Sequence, residues 1–181
     1  MTANNKSIWA IDPGHTQVQF RIKHLGIANV NGTFDSFRGT LQTDNDTFDH
    51  SNVHFEIDAA SINTKLEARD QHLKSAFLFN TEQYPTITFE GMLEKKDHDY
   101  QLTGELTICT VTRHIVLDAS FTGSQKGPRG DTRAGFEVDG KINRKDFGLT
   151  WNILTEAGGI VVGDEVKLRF DIELIRQEDK S

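Results

Sequence analysis

The chain has 181 residues, of which 36% are hydrophobic and 26% are charged. This length and balance predict one folded, soluble domain spanning residues 1–181, and they exclude a disordered chain. The net charge of −7 argues against nucleic acid as a partner, because nucleic acid is also an anion.

The first residues and the single cysteine bear on the cellular compartment and on the kinds of site that the protein can form. Residues 1–7 show neither the apolar core nor the cleavage signature of a secretion signal, so we expect a cytoplasmic protein. No run approaches the length of about 18 apolar residues that a membrane helix needs, and no integral membrane segment is expected. Cys109 is the only cysteine, which excludes an intrachain disulfide and a cluster of thiolate metal ligands.

Alternation of apolar and polar residues recurs along the chain and predicts β-strands. Near the start, Val18, Phe20, Ile22 and His24 fall on one face of a strand, and polar residues fall on the other. Together with two less regular runs, this alternation predicts eight strands: 17–24, 28–42, 53–59, 86–90, 101–108, 112–123, 136–142 and 166–174. Such strands bury their apolar faces by closing into a barrel or by packing as a sandwich.

The connections between the strands are mostly short. Residues 96–99 and 162–165 contain the Asp and Gly residues typical of hairpin turns, which predicts antiparallel neighbours. The predicted fold class is therefore all-β.

One segment, between the third and fourth strands, has helical rather than strand spacing. Thr64-Lys65-Leu66-Glu67 matches a capping box, in which Thr64 is the N-cap residue and Glu67 reaches back to it. Leu66, Leu73 and Phe77 then recur at helical spacing up to about residue 78. We expect this helix to cover an end or a flank of the barrel, either as a plug or as a gate.

Seven histidines raise the question of a metal site. His15 and His24 are nine residues apart on what the pattern predicts to be one strand, so they face opposite sides. His50 and His54 are four apart, which on a strand is roughly 13 Å at about 3.3 Å per residue. Neither pair can share one zinc ion as part of a regular strand, and no metal site is predicted.

No motif for covalent catalysis is present. The chain lacks a G-x-S-x-G nucleophile motif, and Cys109 has no adjacent histidine. Asp12, Asp70 and Asp146 could act as acid–base groups with His15 or His72, but aspartates are most often turn and cap residues. We therefore predict no catalytic residues.

The chain resembles the YceI-like family along nearly its whole length. The resemblance is carried by motifs that occur in order: Trp9-x-x-Asp12-x-x-His15-Thr16-x-Val18-x-Phe20-x-x-x-His24, Val30-x-Gly32-x-Phe34, Ser61-Ile62-x-Thr64, Asp70-x-His72-Leu73-x-Ser75, Tyr84-Pro85-x-Ile87-x-Phe89, Gly104-x-Leu106-Thr107-Ile108, Asn143-Arg144-x-Asp146-Phe147-Gly148-Leu149 and Val162-Gly163-Asp164-x-Val166. This resemblance implies an eight-stranded antiparallel lipocalin-like barrel with one helix between strands 3 and 4. It also implies binding of a polyisoprenoid or a related long-chain amphiphilic lipid, and a homodimer by analogy. No cofactor is implied other than such a lipid, which could also be quinone-like.

The inward-facing residues of such a barrel are the candidates for lipid binding. They are Phe20, Ile22, His24, Phe34, Phe55, Ile57, Phe89, Leu106, Phe136, Val138, Trp151 and Phe170. Trp151, like Trp9, could either line the cavity or close its rim. Periodicity cannot distinguish a cavity wall from a packed core, so both interpretations of these residues stay open.

We expect particular roles for the polar residues near the barrel ends. His24 lies on the apolar register and is the first candidate for contact with a lipid head group. We expect Arg144 and Asp146 to pair or to cap a turn, and His15, Asp12 and His72 to be structural fasteners. Two alternative functions remain: a lipid- or quinone-related stress-response enzyme, and an interaction module whose barrel is solid.

Overall fold

Antiparallel strands make up most of the protein. The computed structural model describes residues 6–44, 47–152 and 162–178. Its strands are β1 (Ser7–Ile11), β2 (Gln17–His24), β3 (Ala28–Phe34), β4 (Phe37–Thr43), β5 (Ser51–Asp58), β6 (Ile62–Asn63), β7 (Thr86–Lys96), β8 (Asp99–Ile108), β9 (Val111–Lys126), β10 (Thr132–Asn143) and β11 (Val162–Arg176). The helix α1 spans Glu67–Lys74.

The sheet closes on itself. Its order is β1-β4-β5-β7-β8-β9-β10-β11, and β11 pairs back with β1. Because β11 is long, its first part also pairs with β2, which carries β3 and β6. Three pairs of segments, β1–β2, β3–β4 and β5–β6, are separated only by a few residues, and each pair counts as one bent strand. The eight-stranded antiparallel barrel with a helix between the third and fourth strands is therefore confirmed.

A capped turn causes the bend between β1 and β2. Pro13–His15 form a 3-10 turn, and the Asp12 carboxylate accepts a hydrogen bond from the Gly14 N–H at 3.1 Å. Proline suits the first position of such a turn because its missing N–H is not needed there. The prediction that His15 and His24 share one regular strand is thus wrong, since this turn separates them.

The helix is shorter than the sequence pattern predicts. It begins at Glu67, and Leu66 at the N-cap position makes no side-chain capping bond. Lys65 has a positive φ of 67°, which stops the helix from extending back to Thr64. The N–H and the hydroxyl of Thr64 instead donate to Asp70 Oδ1 at 2.9 and 2.6 Å. The capping-box prediction and the predicted end near residue 78 are therefore wrong.

One of the two predicted hairpin turns is present. Asp97 and His98 join β7 to β8, and Asp97 has a positive φ of 54°. Residues 162–165 form no turn but begin β11, where Val162 lies opposite His24 of β2. The predicted turn at residues 162–165 is therefore wrong. Pairing with β2 outweighs the local turn preference of the Gly-Asp pair.

The two ends of the barrel differ. We call the end that carries the β2–β3 hairpin, residues 25–27, the mouth, and the end that carries residues 97–98 the floor. Aromatic rings close the floor: Phe48 packs against Trp9 and Phe136 with ring centroids 5.0 and 5.4 Å apart. Tyr100 and Phe121 complete this floor cluster around Phe136.

Helix α1 and the residues after it lie on the mouth side of the barrel. The Phe79 ring packs against the Phe34 ring of β3, with ring centroids 6.1 Å apart. The Cys109 thiol, between β8 and β9, donates a hydrogen bond to the Phe79 carbonyl at 3.2 Å. This segment therefore bridges strands from different parts of the barrel. In the part of the chain that the structure describes, no helix is both long and apolar enough to cross a bilayer.

Candidate functional site

A cavity of about 430 Å³ lies inside the barrel. This volume is within the range of about 300–1,000 Å³ that small-molecule sites occupy. All twelve residues predicted to face the interior line it: Phe20, Ile22, His24, Phe34, Phe55, Ile57, Phe89, Leu106, Phe136, Val138, Trp151 and Phe170. The barrel is therefore not packed solid along its axis.

The cavity becomes more accessible along β2. Val18 is only 2% exposed, whereas Ile22 is half-buried and His24 is exposed, although all three line the cavity. The inward-facing Phe55 and Phe170 are also only half-buried. Phe55 and Phe170 pack against the buried core but keep part of their surface free along the cavity. The rise in exposure from Val18 to His24 indicates that the cavity opens toward the mouth.

Glycines make room for aromatic rings against the wall. A Cβ atom at Gly32 would lie 2.2–2.8 Å from three atoms of the Phe20 ring, and a Cβ at Gly91 or Gly104 would lie within 2.8 Å of the Phe89 ring. Real Cβ atoms do not approach rings this closely. Glycine at these positions therefore allows Phe20 and Phe89 to lie flat on the sheet instead of projecting into the cavity.

A buried arginine organises the chain at the mouth. Arg144 is 5% exposed and donates to the carbonyls of Gly163 at 2.8 Å, Leu149 at 2.5 Å and Trp151 at 2.8 Å. Burial lowers the pKa of its guanidinium from the usual value. Arg144 also lies 3.5 Å from a carboxylate oxygen of Asp164.

Of the two alternatives expected for Arg144 and Asp146, their pairing is wrong, whereas Arg144 does cap the turn at residues 146–149, because its guanidinium donates to the Leu149 carbonyl. The guanidinium has backbone carbonyls and Asp164 within reach, whereas Asp146 is exposed and its backbone carbonyl accepts from Arg113 at 3.0 Å. Arg144 therefore links residues 149–151 to the start of β11 at residues 162 and 163.

Helix α1 contributes a second group of polar side chains to the cavity. Arg69 donates to the hydroxyl and to the carbonyl of Thr64, both at 2.7 Å, and Thr64 in turn donates to Asp70. His72 lines the cavity and packs edge-on against Trp151, with ring centroids 4.3 Å apart. The Nε2 atom of His72 is buried and has no hydrogen-bond partner among the described residues.

The candidate acid–base residues are not assembled in one place. Asp12 and His15 lie at the bend between β1 and β2, where Arg133 Nη1 contacts Asp12 Oδ2 at 2.8 Å and Glu173 Oε2 at 2.9 Å. His15 is bonded to the same Asp12 oxygen at 2.8 Å. As predicted, Asp12 and His15 fasten parts of the fold together, in this case the bend to β10 and β11.

The same cluster is the one group of described residues whose ligand atoms are close enough for a metal ion, namely Asp12, His15 and Glu173. The Arg133 guanidinium already bridges the two carboxylates. The hydrogen bond with His15 and, next, that from Arg133 lower the Asp12 pKa to about 2. A cation at this position would have to displace another cation, so the donor set does not fit a metal.

Sequence reasoning missed the cavity residues that come from α1 and the segment after it. Arg69, Leu73, Leu78 and Phe79 line the cavity, and only Leu73 stood out as part of a helical pattern. No periodic signal marks Leu78 and Phe79, because they lie in turns after the helix ends. Their contact with the cavity depends on the tertiary packing of this segment against Phe34 and Cys109.

The fold and the cavity define a closed β-barrel with an apolar chamber. The model of the YceI-like domain matches residues 9–174, so the chain belongs to the YceI-like family. Protein YceI of Escherichia coli (strain UMN026) is 41% identical over 170 residues, which cover 91% of this chain and 83% of the relative.

Solved structures share this fold at low sequence identity. BcnA of Burkholderia cenocepacia has a TM-score of 0.77 at 19% identity, covering 90% of this chain and 98% of that chain. A polyisoprenoid binding domain from Saccharophagus degradans, implicated in plant cell wall breakdown, has a TM-score of 0.70 at 16% identity, with coverages of 93% and 98%. These likenesses establish the barrel architecture.

Proposed function

We propose that this protein binds a long-chain isoprenoid or similar amphiphilic lipid inside the barrel and sequesters or carries it. The observation that carries the proposal is the cavity of about 430 Å³ with an apolar and aromatic wall. Family membership and the polyisoprenoid binding domain among the structural neighbours support the same ligand class.

The free energy available from such a cavity suffices for binding. Burying ten methylene groups of a tail contributes about 8 kcal/mol at ~0.8 kcal/mol each. This gross value corresponds to an affinity in the micromolar range before the costs of association. No charge is needed along the tail, which agrees with a wall made mostly of Phe, Leu, Ile and Val side chains.

Substitutions on opposite faces of β11 test this proposal. Leu168 lines the cavity and is half-buried, whereas the neighbouring Lys167 is exposed on the outer face. Leu168→Asp places a carboxylate against the lipid tail, and we expect it to abolish detectable binding of farnesol in isothermal titration. Lys167→Asp makes the same side chain on the outer face and should leave the farnesol affinity unchanged.

The two variants need a folding control, which circular dichroism and urea unfolding provide. Equal farnesol affinity in folded Leu168→Asp and Lys167→Asp would rule out the barrel interior as the binding site. A quinone-like lipid fits the same proposal, because its isoprenoid tail presents the same apolar surface.

A further inference from the structure

The β2–β3 hairpin presents apolar side chains to solvent at the mouth. Leu25 and Ile27, in its turn, are 42% and 85% exposed, and residues 23–29 are exposed throughout. Among the described residues, the cavity wall includes the neighbouring His24 and Val30 but neither of these two. Leu25 and Ile27 therefore stand outside the chamber, at the edge of its opening.

The backbone of this turn is unfavourable for a leucine. Leu25 and Gly26 both have positive φ, of 55° and 68°, and the Ile27 N–H donates to the His24 carbonyl at 3.2 Å. Asn, Asp and Gly are preferred at such positions, whereas a bulky side chain at positive φ is an outlier. In the turn between β7 and β8, the residue at positive φ is Asp97. A half-exposed leucine gains little burial within the fold to offset this strain, which points to a role outside the folded chain.

The hairpin is also positively charged within an acidic protein. Residues 13–34 include Arg21 and Lys23 and no Asp or Glu, although the whole chain has 27 acidic residues and a net charge of −7. The strand β11, which pairs with β2, carries two acidic residues near its start, and both already lie within ion-pair distance of lysines: Asp164 of Lys145 at 3.3 Å, and Glu165 of Lys141 at 3.7 Å. The charge of the hairpin is therefore opposite in sign to that of the protein as a whole.

We propose that the tip of the β2–β3 hairpin docks on the surface of an anionic lipid bilayer. Leu25 and Ile27 enter the boundary between head groups and acyl chains, and Arg21 and Lys23 lie close to the anionic head groups. The inference goes beyond the proposed function, because docking depends on the hairpin and not on an occupied chamber. Docking also lets a long-chain lipid pass between the bilayer and the mouth without crossing water, and in this part alone the inference rests on the proposed function.

A bilayer fits this surface better than a second copy of the chain does. A two-fold contact between hairpin tips brings Arg21 and Lys23 of one copy toward the same residues of the other, and like charges repel. Two exposed apolar side chains are also few for a protein interface, which buries roughly 800 Å² per partner. Two inserted side chains and two cations instead give the weak, reversible attachment that a carrier needs in order to leave the membrane.

Flotation with phosphatidylcholine vesicles, with and without phosphatidylglycerol, tests the proposal. Ile27→Asp places a carboxylate at the tip, and Ile8→Asp makes the same change at a side chain that is 47% exposed, next to Trp9 of the floor cluster. We expect the wild type to bind vesicles that contain phosphatidylglycerol, and to bind them less tightly as the salt concentration rises. Ile27→Asp should bind these vesicles about tenfold more weakly, whereas Ile8→Asp should bind as the wild type does. Both variants should keep the farnesol affinity of the wild type.

Leu25→Asn provides an independent test, because it changes stability and docking in opposite directions. Asparagine suits the positive φ of 55° at this position, so we expect a higher urea midpoint than in the wild type. The loss of the apolar side chain should at the same time weaken vesicle binding. Higher stability together with unchanged vesicle binding would contradict docking through this turn.

The outcomes separate docking from the proposed function and from self-association. Docking is overturned if the wild type binds neither kind of vesicle, if its binding does not depend on phosphatidylglycerol, or if Ile27→Asp and Ile8→Asp bind equally well. Dimers that Ile27→Asp converts to monomers in sedimentation, with vesicle binding unchanged, would assign the tip to a second copy of the chain instead. Vesicle binding without farnesol binding would leave docking in place and contradict the lipid-binding chamber.

Discussion

Phe20 shows how single residues set the shape of the chamber. Its inward direction follows from the alternation along β2, and the sequence predicts it. Its ring orientation depends on Gly32 of the neighbouring strand, which leaves space for the ring. That pairing joins residues twelve positions apart across a hairpin, and a periodic pattern carries no information about it.

The substitution Gly32→Ala tests this arrangement. The added Cβ would meet the Phe20 ring at 2.2–2.8 Å, so the ring must swing into the cavity. We expect a destabilisation of about 1–3 kcal/mol from overpacking, together with weaker farnesol binding. Urea unfolding and titration measure the two effects. Gly14→Ala, whose Cβ meets only Asp12 Oδ1 at 3.4 Å, is the control, and equal behaviour of both variants would contradict the role of Gly32.

Asp12 gives stability a defined pH dependence. Hydrogen bonds from His15 and Arg133 lower its pKa from 3.8 to about 2 in the folded protein. The charged carboxylate therefore stabilises the fold above pH 3.8, and this contribution is lost as the pH falls toward 2. The pKa of His15 is raised by Asp12 and Glu173, so its contribution is complete below pH 6.5 and is lost as the pH rises through the raised value.

The directions of these two pKa shifts predict how the stability of Asp12→Asn depends on pH. The loss of stability relative to the wild type should be largest between about pH 4 and 6.5, where both the carboxylate and the imidazolium are charged. It should shrink toward pH 2 and partly shrink above the His15 pKa. Urea unfolding at several pH values measures the difference, and a difference independent of pH would contradict the account of this cluster.

At the scale of elements, the alternation predicts the strands but not their interruptions. The bend between β1 and β2 follows from Asp12 capping a turn and from Arg133 and Glu173 holding that turn in place. The start of α1 depends likewise on Thr64 bonding to Asp70, six residues ahead. In both cases a side chain has several possible hydrogen-bond partners, and tertiary packing determines which of them it bonds to. A local motif such as the capping box does not reveal that partner.

Arg144 offers a test at this scale. Its removal in Arg144→Ala leaves the carbonyls of Leu149, Trp151 and Gly163 without their donor, and each buried unpaired group costs about 1–3 kcal/mol. We expect lower stability in urea and faster amide exchange around residues 149–152. Lys145→Ala breaks only a surface ion pair with Asp164 and should cost less than about 1 kcal/mol. Similar losses in the two variants would contradict the assigned role of Arg144.

At the scale of the whole molecule, the floor cluster closes one end of the barrel. Phe48 is 6% exposed and contacts the rings of Trp9, Phe121 and Phe136. Phe48→Ala should destabilise the protein by about 3–5 kcal/mol through the cavity it leaves. Ile27→Ala, at a side chain 85% exposed in the mouth hairpin, should change stability by less than about 0.5 kcal/mol. A small effect at Phe48 would show that the floor is not a tightly packed unit.

Eleven of the twelve inward residues were predictable because each strand keeps one apolar face, whereas Trp151 lies outside the strands. Closure into a barrel followed from the resemblance to the YceI-like family, since alternation alone fits a sandwich equally well. Whether their side chains meet at the axis was not predictable, since a filled barrel and a hollow one have the same alternation. The difference arises from ring orientations over glycines and from the packing of α1 against the mouth.

Native mass spectrometry of the purified protein tests the central claim most directly. We expect the purified protein to carry an added mass of several hundred daltons that is lost after organic extraction. When the extracted protein is incubated with farnesol, we expect a one-to-one farnesol adduct to form. A spectrum that shows only the unliganded chain before extraction and after incubation would contradict a lipid-binding barrel.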